Sequence, residues 1–354
     1  MQEQITDLIH KGINPELFSL ISDESIEIHR SSYLGKRIHI ASQNDLKSSS
    51  YSQLHALGVA MNDSIISKHR PWVVEQVRGI CREITGTQDE ISVISKNAAE
   101  LIASGLLSEI FDNLEPLVEA KKKKTPDLSI GSNRYIEVYC PQDSQPEKEK
   151  VKAALESQSG MVRTTISYPV TGSDGKALTY PANKTIDKVL NHKWSNDQTV
   201  QGAENILWLD LMNGFEVSSL KVAPYESLNH AGHTYIGSFG IWHSFYGKKD
   251  KSSFAPDRFV LKYGDAHSGF YSQHKDGIFR SRASLSAALV LTTDGIILLE
   301  NPWASNPINE STKQSIRSIY KFRPEYSYFG GVKLIEENEI DGVLSRIEWL
   351  YGKS

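Results

Sequence analysis

An α/β fold is expected from the sequence, and three observations carry that expectation. Glu100, Ala103, Leu107, Phe111 and Leu114 share one stripe of a helix running from Asn97 to about Leu114, so one helix face meets a core. A Gly131-Ser132-Asn133 turn separates Leu128-Ser129-Ile130 from Tyr135 through Cys140, which is how a tight hairpin reads. Asn205-Ile206-Leu207-Trp208-Leu209-Asp210-Leu211 is an apolar run, as a strand buried on both faces should be.

Between these landmarks lies a strand around Leu117-Val118-Glu119, a Lys121-Lys122-Lys123-Lys124 run, a polar helical insert from Pro146 to about Glu156, and a helix from about Lys184 to Lys193. The order is helix, three strands, helix, strand, over residues 94–215. Residues 1–93 read as a mainly helical accessory region. Pro15 opens a short helix there, Leu54 through Val77 is strongly helical apart from Pro71, and Ile26 to Arg30 and Ile38-His39-Ile40 alternate as strands do. Residues 216–354 read as an α+β extension. Its surest element is a hairpin joining Leu285 through Leu291 to Ile296 through Glu300 at Asp294-Gly295.

Bulk composition narrows the function classes. The chain has 354 residues, with 39% hydrophobic and 23% charged, ordinary for a globular protein with a core large enough for an enzyme. A net charge of −4 means that any nucleic-acid site is a local basic patch rather than the whole surface. Two cysteines, Cys81 and Cys140, form no zinc-site spacing and fit a reducing compartment. The first residues lack the basic flank and apolar run of a secretory signal, and no segment approaches the ~20 apolar residues of a membrane span. A soluble, cytoplasmic protein is expected.

The chemistry concentrates on two carboxylates. Alternation places Tyr135, Glu137 and Tyr139 on one strand face and Ile136, Val138 and Cys140 on the other. A carboxylate flanked by apolar residues needs a cation. Asp127, ten residues earlier, is brought alongside by the hairpin. Two carboxylates at close range call for a shared proton or a metal ion, and hard oxygen ligands suit Mg²⁺ or Mn²⁺.

Pro126-Asp127, followed after a hairpin by Glu137-Val138-Tyr139, resembles the PD-(D/E)XK signature of the restriction-endonuclease-like nucleases. The resemblance covers roughly residues 95–215 and includes the order of elements; the segments around Leu285 and Glu300 are similar to uncharacterised bacterial members. It implies a restriction-endonuclease-like core and a metal-dependent nuclease, with Asp127 and Glu137 as metal ligands. It also implies a glutamate on the preceding helix, for which Glu100 is the favoured candidate and Glu109 the less favoured one. Position 139 departs from the pattern: the family lysine, which helps activate the attacking water, is Tyr139 here.

Some members carry that lysine on the neighbouring helix. Ile186, Val189, Leu190 and Lys193 fall on one helical face, so Lys193 either snorkels past the helix end or reaches the carboxylates. Gln198 resembles the glutamine that accompanies it in relatives, at a longer spacing.

The expected chemistry is phosphodiester hydrolysis with Mg²⁺ or Mn²⁺, on DNA rather than RNA, in restriction, repair or phage defence. A homodimer is compatible with cutting two strands, although no coiled-coil seam is visible. The competing expectation, favoured by Tyr139, is a catalytically silent relative that binds nucleic acid or a partner protein. The tetralysine reads as a phosphate guide or, more simply, as a solvated edge. His230 and His233 lack a third metal ligand, Ser268 and Ser286 lack a nucleophile-elbow context, and Pro256-Asp257 has no second carboxylate strand after it.

Overall fold

The computed structural model describes residues 1–43, 49–85, 88–117, 125–131, 133–141, 170–171, 177–178, 199–212, 227–230, 233–236, 245, 277–293 and 295–324. Six helices come first: α1 (Gln2–His10), α2 (Glu16–Asp23), α3 (Tyr33–Gln43), α4 (Ser49–Ala60), α5 (Asp63–Cys81) and α6 (Gln88–Ser108). Then follow β1 (Leu114–Pro116), β2 (Leu128–Ile130), β3 (Arg134–Tyr139), the small hairpin of β4 (Val170–Thr171) and β5 (Ala177–Leu178), and β6 (Glu204–Asp210). A second small hairpin, β7 (Ser227–His230) with β8 (His233–Ile236), precedes α7 (Ile278–Ser281), β9 (Ala287–Thr292), β10 (Gly295–Glu300) and α8 (Glu310–Ile316).

The fold is α/β, built on a mixed six-stranded open sheet of order β1-β2-β3-β6-β9-β10. β1, β2 and β3 form an antiparallel meander, β6 runs parallel to β3, β9 runs parallel to β6, and β10 returns antiparallel to β9. β9 and β10 of the 216–354 stretch are thus continuous with the sheet that carries the hairpin.

The β2–β3 turn sits where its residues require it. Gly131 has a φ of 67°, a left-handed conformation that glycine adopts without a Cβ clash. β6 is buried from Ile206 to Asp210, because strands flank it on both sides and side chains cover both faces. Its entrance is pinned by the buried Asn205 amide, which donates to the carbonyls of Val200, Ala203 and Ser284 while its oxygen accepts from the Val200 N–H. The outer edge of β10 is capped as well: Ile296 N–H donates to the Lys321 carbonyl and Arg323 N–H to the Ile296 carbonyl. That removes part of an edge that would otherwise invite strand addition.

One sheet face packs against the helices. Ile136, Val138, Ile206, Trp208, Leu289 and Leu298 join a single hydrophobic cluster with Ile94, Ala98, Leu101 and Ile102 of α6 and with residues of α1 through α5. Each such fully buried aliphatic side chain contributes about 1.5–3 kcal/mol of transfer free energy. α6 also crosses α4 closely at Gly105, where a Cβ would collide with the Ala60 carbonyl oxygen. Leu207, Leu209, Ala288, Val290, Ile297 and Leu299 are buried outside that cluster, on the opposite sheet face by alternation.

Several expectations for local structure need correction. Ile38-His39-Ile40 is helical: Leu34, Ile38 and Ala41 are buried at helical spacing, Ile40 is exposed, and the Ser32 hydroxyl accepts from the Gly35 N–H at the helix start. Ile26 to Arg30 is not a strand but an irregular segment, entered through Ser25 at a φ of 51°, whose Ile26 and Ile28 lean on the core. The stretch from Leu54 to Val77 is two helices. The chain extends at Asn62, whose side chain accepts the Ile65 N–H and so caps α5, and α5 kinks at His69, just before Pro71. The first strand of the meander lies at Leu114–Pro116, three residues before the expected start, and α6 starts and ends earlier than expected. The helices expected at Pro146–Glu156 and Lys184–Lys193 lie outside the described residues. Among the described residues, no helix is long and apolar enough to cross a membrane.

Candidate functional site

Asp127 stands one residue before β2, at the end of the hairpin, and its backbone still belongs to the sheet. Its N–H donates to the Ile136 carbonyl at 3.0 Å and its carbonyl accepts from the Leu117 N–H at 2.8 Å. The carboxylate is held as firmly: Oδ2 accepts the Val138 N–H at 2.7 Å. That short bond from a backbone donor fixes one oxygen and leaves Oδ1 to face α6.

There it meets a lysine. Lys96 Nζ is 3.0 Å from Asp127 Oδ1 and 3.2 Å from Glu100 Oε1, so one ammonium bridges a carboxylate of the hairpin and a carboxylate of the helix. The side chains of Asp127 and Glu100 are only 12% and 14% exposed, that of Lys96 45%. Burial, then the nearby Asp127 charge, push the Glu100 carboxyl up to about 7, with Lys96 opposing them. Burial disfavours the Lys96 charge, but the Asp127 and Glu100 carboxylates outweigh it and raise its pKa. The cluster is crowded with negative charge that a single cation only partly offsets.

Glu137 is also buried, at 7% exposure. It lies one residue beyond the Leu128–Ile136 cross-strand pair, next to the Ile136 carbonyl that takes the Asp127 N–H. By alternation it points away from the Ile136 and Val138 face, into the row of Leu207, Ala288 and Leu299. Tyr139 is pushed up to about 12 by burial and by Cys140, so it stays a neutral phenol and supplies no cation.

The structure therefore brings Asp127 and Glu100 together, while Glu137 of the neighbouring strand is turned by alternation to the other sheet face. Glu109 lies exposed in the turn beyond α6. Lys193, Gln198 and the tetralysine lie outside the described residues. His230 and His233 are register partners in β7 and β8, and among the described residues no three His, Cys, Asp or Glu side chains converge as a ready metal site.

Two features escape the sequence reading. Lys96 falls just outside a helix started at Asn97; starting α6 earlier reveals Lys96 and Glu100 as an i,i+4 pair. The second is Asp210, fully buried at the carboxyl end of β6. Its Oδ1 accepts the Met212 N–H at 2.8 Å, and burial pushes it up to about 6, with the Met212 bond and the Arg37 charge opposing. Gln53 ties the two partners together, accepting from Arg37 Nε and donating to the Met212 carbonyl. A charged residue closing an apolar run is the available signal for Asp210; Arg37 directly precedes the Ile38-His39-Ile40 alternation and carries no such signal.

Compared with protein-family models, with curated proteins and with solved structures, the chain matches none.

Proposed function

We propose that the chain is a metal-dependent nuclease with a restriction-endonuclease-like core, hydrolysing phosphodiester bonds in DNA. The observation that carries this reading is the Asp127–Glu100 pair at the end of the β2–β3 hairpin, two poorly exposed carboxylates already sharing one cation. The element order supports it: a helix bearing Glu100, an antiparallel meander bearing Asp127 and Glu137, then a buried strand parallel to the last of the three.

The residues present fit a hard divalent cation. Asp127 and Glu100 offer oxygen donors only, the donor chemistry that such an ion takes. In this reading Asp127 and Glu137 would hold Mg²⁺ or Mn²⁺, as the resemblance implies, with Glu100, which lies beside Asp127, as a further oxygen donor. When bound, the ion supplies Lewis acidity toward a phosphoryl oxygen and lowers the pKa of a water. The hydrolysis breaks one P–O ester bond, forms one P–O bond to the water oxygen, and delivers a water proton to the departing oxygen. The Val138 N–H keeps the Asp127 carboxylate in one orientation throughout, so no reorganisation is needed as charge develops. Lys193 and Gln198 are the proposed ammonium and amide acting on the water, in the place Tyr139 leaves vacant. Restriction, repair or phage defence, a cytoplasmic location and a homodimer belong to the same proposal, as does a division into residues 1–93, 94–215 and 216–354.

A second reading has an observation of its own. Lys96 already bridging Asp127 and Glu100, with Tyr139 in the lysine position, favours a silent relative that binds nucleic acid or a protein. Incubating the protein with supercoiled plasmid, single-stranded DNA and RNA in Mg²⁺ or Mn²⁺ separates the two. The nuclease reading expects cleavage of DNA, lost in Asp127→Ala and Glu137→Ala. No cleavage of any substrate, or cleavage equal in both variants and the parent, overturns it.

A further inference from the structure

We infer that Lys96 is the internal cation a divalent metal must displace from Asp127, so that this lysine sets the metal affinity of the site. The inference rests on the metal-site reading above and adds its regulation. An i,i+4 lysine–glutamate pair would by itself be a routine helix contact. Lys96 does more, because its ammonium also reaches Asp127 Oδ1, the oxygen that the Val138 N–H leaves uncommitted. The members of the cluster differ in freedom. Asp127 is fixed by the hairpin and nearly buried, Glu100 is nearly buried on α6, and the Lys96 side chain is half-exposed on a long, flexible stem. The ammonium is the one charge that can swing into water while the carboxylates stay in place. Charge arithmetic points the same way. One ammonium leaves one of the two carboxylate charges uncancelled, whereas a divalent ion in the ammonium's place cancels both. An ammonium and a divalent ion within a few Å of the same oxygen repel strongly. The two cations therefore exchange, and Lys96 is a positioning residue that competes with metal and holds the carboxylates in its absence.

The test is Mn²⁺ binding, by calorimetry and by the loss of the free-ion spin-resonance signal, to the full chain at neutral pH. The parent, Lys96→Met, Lys96→Arg and Asp127→Asn are compared, with no nucleic acid present. Removing one positive charge a few Å from the ion predicts affinity about ten-fold tighter or more in Lys96→Met. Lys96→Arg should stay near the parent, and Asp127→Asn should lose binding. A Mn²⁺-induced rise in melting temperature, larger in Lys96→Met than in the parent, provides a second readout. If Asp127→Asn loses the metal but Lys96→Met binds no tighter than the parent, the exchange is overturned and the metal site stands. If Asp127→Asn binds like the parent, or nothing binds, the metal-site reading falls and the exchange with it.

Discussion

Replacing Asp210 by asparagine should remove a pH-dependent penalty from the folded state. The carboxyl is fully buried, and its pKa rises from an ordinary 3.8 to about 6, chiefly through burial. Below pH 3.8 both folded and unfolded chains keep this proton. Between there and about 6 the unfolded chain has released it while the folded chain still holds it, so this group's contribution to stability is lost as pH rises through the window. Roughly two pH units at about 1.4 kcal/mol each give a loss of about 3 kcal/mol, complete above the folded-state value. The carboxyl is inaccessible, so solvent screening does not reduce the figure. Asp210→Asn keeps the shape and an acceptor for the Met212 N–H but cannot ionise. Urea unfolding of parent and variant across this range measures the difference directly, and every other titrating group cancels in the comparison. The variant should gain about 3 kcal/mol relative to the parent from the acid to the neutral end. A difference that stays constant across the range would refute the reasoning.

Two further substitutions test the packing that carries the candidate site. Gly105→Ala puts a methyl into the Ala60 carbonyl oxygen and forces α4 from α6; it should cost at least about 2 kcal/mol in urea unfolding, and a loss below about 0.5 kcal/mol would mean that the helices do not cross there. Asn205→Ala strips hydrogen bonds from Val200, Ala203 and Ser284 and leaves buried backbone groups unsatisfied. A cost of about 3 kcal/mol is expected, with amide exchange quickening first at Ser286, whose N–H donates to the Asn205 carbonyl, and unchanged exchange there would count against the network.

The hairpin was legible because its signals are local. A turn glycine at positive φ, alternating residues on either side and an apolar run each specify backbone without help from distant sequence. Short alternation is ambiguous. Ile38-His39-Ile40 alternates over three residues, too short a span to distinguish a strand from a helix whose buried stripe starts at Leu34. A strand there would hide Arg37, whose charge opposes the rise of the Asp210 carboxyl. Helix boundaries were the second weakness. A start at Asn97 excluded Lys96, whose role depends on meeting Asp127 from another element, and no spacing rule connects those two positions. The pairing of β9 with β6 was equally invisible, since an apolar run shows that a strand is buried but not which strand lies beside it.

Whether the Asp127 cluster is a metal site is the claim on which the functional account rests. The most direct measurement is anomalous diffraction from crystals of the protein grown or soaked in Mn²⁺. The account predicts a peak at about 2.1 Å from an Asp127 oxygen, with the Lys96 ammonium moved off that oxygen. A well-ordered cluster with Lys96 still bridging Asp127 and Glu100, and no peak beside it at saturating Mn²⁺, would contradict the account.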